Sequence, residues 1–168
     1  MTLDIRDVQS DELQAMLALT LSAYQQYEHE SPPGFWDKYV TNITEAVLTA
    51  PDIERIAAYV DGEMAASVLL CKRSFRGNHP EIRLLAVSPD RRKLGLAGKL
   101  MQFCEDRLLE RNCPSVILHT TNLMNVARRM YEKSGYVRSP VDDFSPVPGF
   151  VVEGYIKHLQ PQPSPSRI

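Results

Sequence analysis

Cysteine is scarce in this sequence and shows no pairing pattern. Its three, Cys71, Cys104 and Cys113, are odd in number and widely spaced, which argues against a disulfide framework and against a zinc site. Cys71 falls in a strand-like run and Cys104 in a helix-like one, where a buried thiol acts as an apolar filler. No apolar run approaches the roughly 18–20 residues that a membrane span needs. The opening MTLDIRDVQSDE carries neither an early basic cluster nor an apolar stretch of the signal-peptide kind. A cytoplasmic location is expected, with no membrane partner. A large excess of one charge is missing too: a net charge of −2 gives no general attraction to nucleic acid. Neither a G-x-G-x-x-G loop nor a Walker loop occurs, which removes the usual readings for NAD and ATP.

What is present is an ordinary globular composition, 43% hydrophobic and 24% charged over 168 residues, enough for one domain with a real core. Residues 1–159 are expected to form that domain. The tail QPQPSPSRI, residues 160–168, is rich in Pro and Ser and is expected to be disordered. Leu3 to Val8 reads as an edge strand. Ser10 or Asp11 offers an N-cap, and Leu13, Met16, Leu17, Leu19 and Leu21 predict a helix over 11–28. Residues 29–34 break it, and a second helix runs from Phe35 to Leu48. Strands at Ile53 to Val60 and Met64 to Leu70 flank Asp61-Gly62, a hairpin signal. Glu81 to Val87 is a further strand, and 94–112 a helix with Leu96, Leu100, Phe103, Leu108 and Leu109 on its apolar side. Val116 to Leu118 reads as a central strand, 123–134 as a helix stopped by Gly135, and Tyr136 to Arg138 and Phe150 to Leu159 as late strands. The order β-α-α-β-β-β-α-β-α-β-β predicts a mixed sheet flanked by helices, an α/β or α+β design.

The segment with chemical content joins the strand at Glu81 to the helix after it. Arg91, Arg92 and Lys93 stand just before a helix whose first turn holds Gly95, Ala97 and Gly98. Small residues let a ligand approach the backbone, and the free N–H groups and dipole of a helix start favour an anion. This combination reads as a phosphate or pyrophosphate cradle. The plainer alternatives are a solvated basic loop and glycines used for packing the helix on the sheet. Lys72, Arg73 and Arg76 form a second, looser basic group.

Arg92-Lys-Leu-Gly95-Leu-Ala97 resembles the [RQ]-x-x-G-x-[GA] signature of the GNAT superfamily of acyl-CoA-dependent N-acetyltransferases. Leu85-Ala-Val-Ser-Pro89 before it is similar to that family's fourth strand. Asn125-Val-Ala127-Arg-Arg-Met-Tyr131-Glu-Lys-Ser-Gly135-Tyr136 resembles its N-x-x-A-x-x-x-Y-x-x-x-G-[FY] segment, in the right order. The resemblance covers about residues 3–158 and implies a mostly antiparallel sheet whose central strands splay apart. It implies acetyl-CoA as acyl donor. The backbone of Leu85, Ala86 and Val87 would meet the pantetheine arm. Backbone groups from Arg92 through Lys99, chiefly Leu94, Gly95, Ala97 and Gly98 with Leu96 among them, would hold the pyrophosphate, with charge from Arg92 and Lys93. Asn125 would meet the pantetheine region.

The same resemblance makes Tyr131 the proton donor to the departing thiolate, a role suited to a phenol that stays protonated near neutral pH. The alternative for Tyr131 is packing. Glu81 matches a glutamate that serves as base in histone-acetylating members, His119 is a second candidate, and some members use no dedicated base. Backbone N–H groups near Ala86 and Val87 are the candidate oxyanion donors. The acceptor site would use Tyr24, Tyr27, Glu28, residues 31–36 and Asp142-Asp143, aromatics and carboxylates that suit a cationic amine. Packing at a helix start is the alternative for Phe35 and Trp36. The reading is N-acetyl transfer to a primary amine of a small molecule or peptide, with a homodimer left open and no metal expected. The competing class is a non-catalytic acyl-CoA-binding sensor or interaction module.

Overall fold

A computed structural model describes residues 1–74 and 77–159. The expected tail at 160–168 and Arg76 of the second basic group lie outside the described residues. The strands are β1 (Leu3–Asp7), β2 (Ile53–Val60), β3 (Glu63–Cys71), β4 (Glu81–Val87), β5 (Ser115–Thr120), β6 (Val137–Arg138), β7 (Phe144–Val147) and β8 (Phe150–His158). The helices are α1 (Leu13–Tyr24), α2 (Phe35–Leu48), α3 (Leu96–Glu110) and α4 (Asn125–Lys133). Short 3-10 turns at Ser10–Glu12 and Gln25–Tyr27 bracket α1, so the predicted helix over 11–28 is α-helical only in its middle.

One sheet runs in the order β1-β2-β3-β4-β5-β8-β6, with β7 paired to β8. Every pairing is antiparallel except β4 with β5. The β2–β3 turn has Asp61 at φ 50° and Gly62 at φ 85°. Two positive φ values in succession match the right-handed twist of the flanking strands, which is why Asp-Gly marks such hairpins.

Two apolar clusters cover the two faces of the sheet. Leu96, Leu100, Met101, Cys104 and Leu108 of α3 pack with Ile82, Leu118, Tyr131 and Tyr136 on one face. Met16, Ala23 and Tyr24 of α1 and Ile43, Ala46 and Val47 of α2 pack with Leu69, Cys71, Leu84 and Ala86 on the other. Leu109 was expected on the apolar side of α3 but is 36% exposed, because Met101 and Cys104 turn the buried stripe away from it. Burial pushes the thiols of Cys71 and Cys104 up, to about 11 and about 12, so both are inert fillers.

The β4–β5 junction positions the site. The two strands pair in parallel only at Glu81 with Ile117 and Ile82 with Leu118. Beyond that, β4 carries a bulge: Leu69 pairs with Arg83 but Ser67 pairs with Ala86, and Leu84 takes φ 50° between them. A bulge bends the strand that carries it, and from here β4 stays with β3 while β5 follows β8.

Candidate active site

The gap between β4 and β5 opens into a cleft of about 1380 Å³ that reaches from the start of α3 to the aromatic residues of α1 and α2. The Ser88 N–H donates to the Ala65 carbonyl on β3 at 2.8 Å. Backbone groups alternate along an antiparallel strand, so the amide of Ala86 also faces β3, while those of Leu85 and Val87 face the cleft. Of the three residues whose backbone was expected to meet the pantetheine arm, Leu85 and Val87 turn their amides to the cleft, whereas Ala86, also expected as an oxyanion donor, turns its amide to β3. The Leu85 carbonyl is already occupied, since the Tyr24 hydroxyl donates to it at 2.9 Å.

Gly95 caps α3 with φ 73°, a left-handed conformation that disfavours any side chain. The first helical hydrogen bond runs from Lys99 N–H to Gly95 carbonyl at 3.2 Å. The N–H groups of Leu96, Ala97 and Gly98 therefore point out of the helix end without intrahelical acceptors. A Cβ built on Gly95 or Gly98 meets nothing within 4 Å, so both face open space. Arg92 and Lys93 line the cleft beside them, and Arg91 is held by Glu63 at 2.9 Å. Open backbone, free donors and two cations in one place fit the pyrophosphate of a coenzyme A thioester. Leu94, Lys99 and Asn125 are exposed and lie outside the cleft lining, although the first two flank the cradle and Asn125 opens α4.

Tyr131 is the one buried residue of α4 and lines the cleft. Burial, with smaller contributions from Tyr39 and Tyr27, holds its phenol well above the ordinary tyrosine pKa, hence protonated. Its hydroxyl makes no hydrogen bond to a described residue.

Glu81 is 5% exposed and bonds His119 Nδ1 at 2.6 Å across the parallel pair. The other ring nitrogen, Nε2, donates to the Asp142 carbonyl at 2.8 Å. Burial works against charge on His119, but the hydrogen bond and charge of Glu81, helped by Asp142, outweigh it and raise the pKa. With both nitrogens engaged, His119 is a clamp joining β4, β5 and the turn at Pro140–Asp142. Glu81 lines the cleft, and its second carboxylate oxygen has no partner among the described residues.

On the α1/α2 side the wall is aromatic. Phe35 stacks on Tyr39 at 5.1 Å and meets Phe150 edge-on at 4.9 Å. Trp36 is half-buried, packs against the edge of the core under α1 and α2, and does not line the cleft. The carboxylates expected beside these rings are engaged or absent from the wall: Arg138 binds Asp143 at 2.8 Å, the Ser139 hydroxyl donates to Asp142, and Glu28 is not in the lining. Sequence reasoning missed Arg83, which lines this part of the cleft. Its signal was a cation inside the otherwise apolar run Ile82-Arg83-Leu84-Leu85. Among the described residues no group of three or more His, Cys, Asp or Glu is placed to hold a metal, and no helix is long and apolar enough to cross a membrane.

A splayed parallel pair feeding a helix-start anion cradle is an arrangement suited to an acyl-coenzyme A thioester. The sequence model of the Acetyltransferase (GNAT) family matches residues 13–136, and the chain belongs to that family. It is 31% identical over 137 residues to the S-(2-succino)cysteine N-acetyltransferase of Bacillus subtilis, covering 76% of this chain and 80% of that one. An acetyltransferase of Pectobacterium atrosepticum is 27% identical over 134 residues, covering 80% and 87%. The PaiA N-acetyltransferase of Thermoplasma acidophilum, solved in complex with coenzyme A, superposes with a TM-score of 0.70 at 16% identity, over 94% of this chain and 99% of that one.

Proposed function

We propose that this protein transfers the acetyl group of acetyl-CoA to a primary amine of a small molecule or peptide. The observation that carries the reading is convergence. The anion cradle at Gly95–Gly98, the free amides of Leu85 and Val87, the protonated Tyr131 and the buried Glu81 all face one cleft. Membership of the acetyltransferase family supports it, as does the name of the B. subtilis relative, whose acceptor is an amine of amino-acid type.

In this reading the cradle holds the donor by its phosphates and the β4 edge holds its arm. Glu81 takes a proton from the acceptor ammonium, directly or through one water, and leaves the neutral amine to attack the thioester carbon. One of the cleft-facing N–H groups of β4, that of Leu85 or Val87, donates a hydrogen bond to the carbonyl oxygen as negative charge develops on it. As the C–S bond breaks, Tyr131 gives its proton to the sulfur, and the excess proton on the attacking nitrogen passes through water to the resulting phenolate, leaving a neutral amide, the free thiol and a neutral phenol. His119 positions Glu81 and does not itself touch the reacting atoms. Thiol release from acetyl-CoA with a panel of amines tests the proposal. Turnover that depends on an amine supports it. Donor binding without turnover on any amine favours a non-catalytic acyl-CoA-binding module.

A further inference from the structure

Among the described residues, arginines that are partly withdrawn from water have partners. Arg6 binds Glu12, Arg91 binds Glu63, Arg107 binds Asp7 and Glu54, and Arg128 lies 3.8 Å from Glu153. Arg55 has no carboxylate but donates to the carbonyls of Val47, Ile53, Ala46 and Ala50. Arg83 is the exception. It is half-buried, and no carboxylate oxygen of a described residue lies within the 4.0 Å of an ion pair. Around it stand the Cys71 thiol, an uncharged group within its hydrogen-bonding reach, and the hydroxyls of Tyr24 and Tyr39. A guanidinium that has lost part of its hydration without gaining an anion is held at a cost, unless a ligand supplies the anion.

The register shows where that cation sits relative to the chemistry. Glu81 lies opposite Cys71 and Arg83 opposite Leu69, and both partners belong to the cluster under α1 and α2. Directly opposed residues share a face of the sheet, so Glu81 and Arg83 project to the same side, just before the bulge at Leu84. Their Cα atoms are two strand positions apart, roughly 6–7 Å. This suits a small molecule with its amine at Glu81 and a carboxylate at Arg83. Lys72 and Arg73 also line the cleft and form no ion pair with a described residue, while the lining carboxylates Glu45 and Asp52 are exposed.

We propose that the acceptor is an amine that also carries a carboxylate, an amino-acid-like anion, and that Arg83 is the specificity-determining residue that binds it. The proposal rests on the acyl-transfer reading for the direction in which the amine points, and on unpaired Arg83 for the carboxylate. The guanidinium receives the carboxylate through two parallel N–H···O bonds. Tyr24, Tyr39 and Phe35 cover the apolar part of the molecule and exclude water from the pair. A diamine has no group for Arg83 and brings a second cation toward it.

The test is calorimetric titration into the coenzyme A-saturated protein. The carboxylated probes are L-aspartate, L-glutamate and L-2-aminoadipate, and the probes without a carboxylate are putrescine, cadaverine and ethanolamine. The wild type should bind at least one carboxylated probe more tightly than every probe lacking the group. Arg83→Gln should weaken that binding roughly 10–100-fold while its coenzyme A affinity and melting temperature stay unchanged, and Arg83→Lys should fall between. Should Arg83→Gln fail to fold, the wild-type ranking and Arg83→Lys still decide. Tighter binding of a diamine than of every carboxylated probe, or equal losses for both probe classes in the variants, would overturn the assignment. Because binding is read without turnover, the two ideas fail separately. Carboxylated probes that bind through Arg83 without acetyl transfer contradict the transfer reading, whereas preferential acetylation of putrescine contradicts the role of Arg83.

Discussion

His119 Nδ1 lies 2.6 Å from the Glu81 carboxylate, and this contact joins β4 to β5 at the last point before they separate. Because His119 Nε2 donates to the Asp142 carbonyl at the same time, the imidazolium is the form that satisfies every partner with Glu81 ionised. The contact therefore sets the geometry of the cleft mouth and the orientation of the carboxylate.

That arrangement predicts a pH-dependent contribution to stability. The folded pKa of His119 is raised above its unfolded value of 6.5. The contribution is thus fully present below about pH 6.5 and is lost as pH rises through the folded value. Urea unfolding of wild type and His119→Gln at pH 6 and pH 9 should show a gap on the order of 1–2 kcal/mol at the lower pH that narrows at the higher. A gap of the same size at both would mean that the imidazolium contributes nothing.

For the donor cradle, Gly98→Leu is the cleaner probe than a change at Gly95, whose positive φ would add backbone strain. A Cβ at Gly98 meets nothing within 4 Å, so the fold should survive while the side chain occupies the space for phosphate. Coenzyme A affinity should drop at least about 100-fold, with an unchanged melting temperature. Arg92→Ala should weaken coenzyme A by roughly 10-fold or more through lost charge-assisted contacts, but leave acetyl-pantetheine, which lacks the nucleotide, unaffected. Unchanged affinity for coenzyme A, or equal losses for both ligands, would mean that Arg92 does not hold the nucleotide phosphates.

Tyr24→Phe removes the donor to the Leu85 carbonyl and little volume. The expected loss is about 1 kcal/mol of stability, together with a raised KM for the donor, because the bulged edge of β4 would no longer be pinned to α1. A stability loss with unchanged donor KM would confine Tyr24 to packing.

The fold was largely legible because its signals are local. Asp61-Gly62 dictates a hairpin by its φ values, the boundaries of α2 follow from Gly34 before it and Pro51 after it, and the Gly95–Gly98 turn advertises an open helix start. What stayed hidden depends on contacts distant in sequence. The bulge at Leu84 exists only against β3 and has no signature of its own within Leu84-Leu85. Strand β7, Phe-Ser-Pro-Val, lacks alternation and contains a proline, so only its pairing with β8 makes it a strand. His119 gives no hint in sequence that both its nitrogens are used, since Glu81 and Asp142 reach it from 38 and 23 residues away. Arg83 was visible as a charge in an apolar strand, but its lack of a partner is a property of the folded cleft.

The central claim is that one cleft both holds the donor and moves protons in acetyl transfer, and Tyr131→Phe measures this most directly. The variant removes a buried hydroxyl that makes no hydrogen bond to a described residue, so packing and donor affinity should be nearly kept. In a thiol-release assay with acetyl-CoA and a turned-over amine, kcat should fall by about 10²-fold with little change in coenzyme A affinity. A variant that turns over at the wild-type rate at saturation would contradict the account of how this cleft performs chemistry.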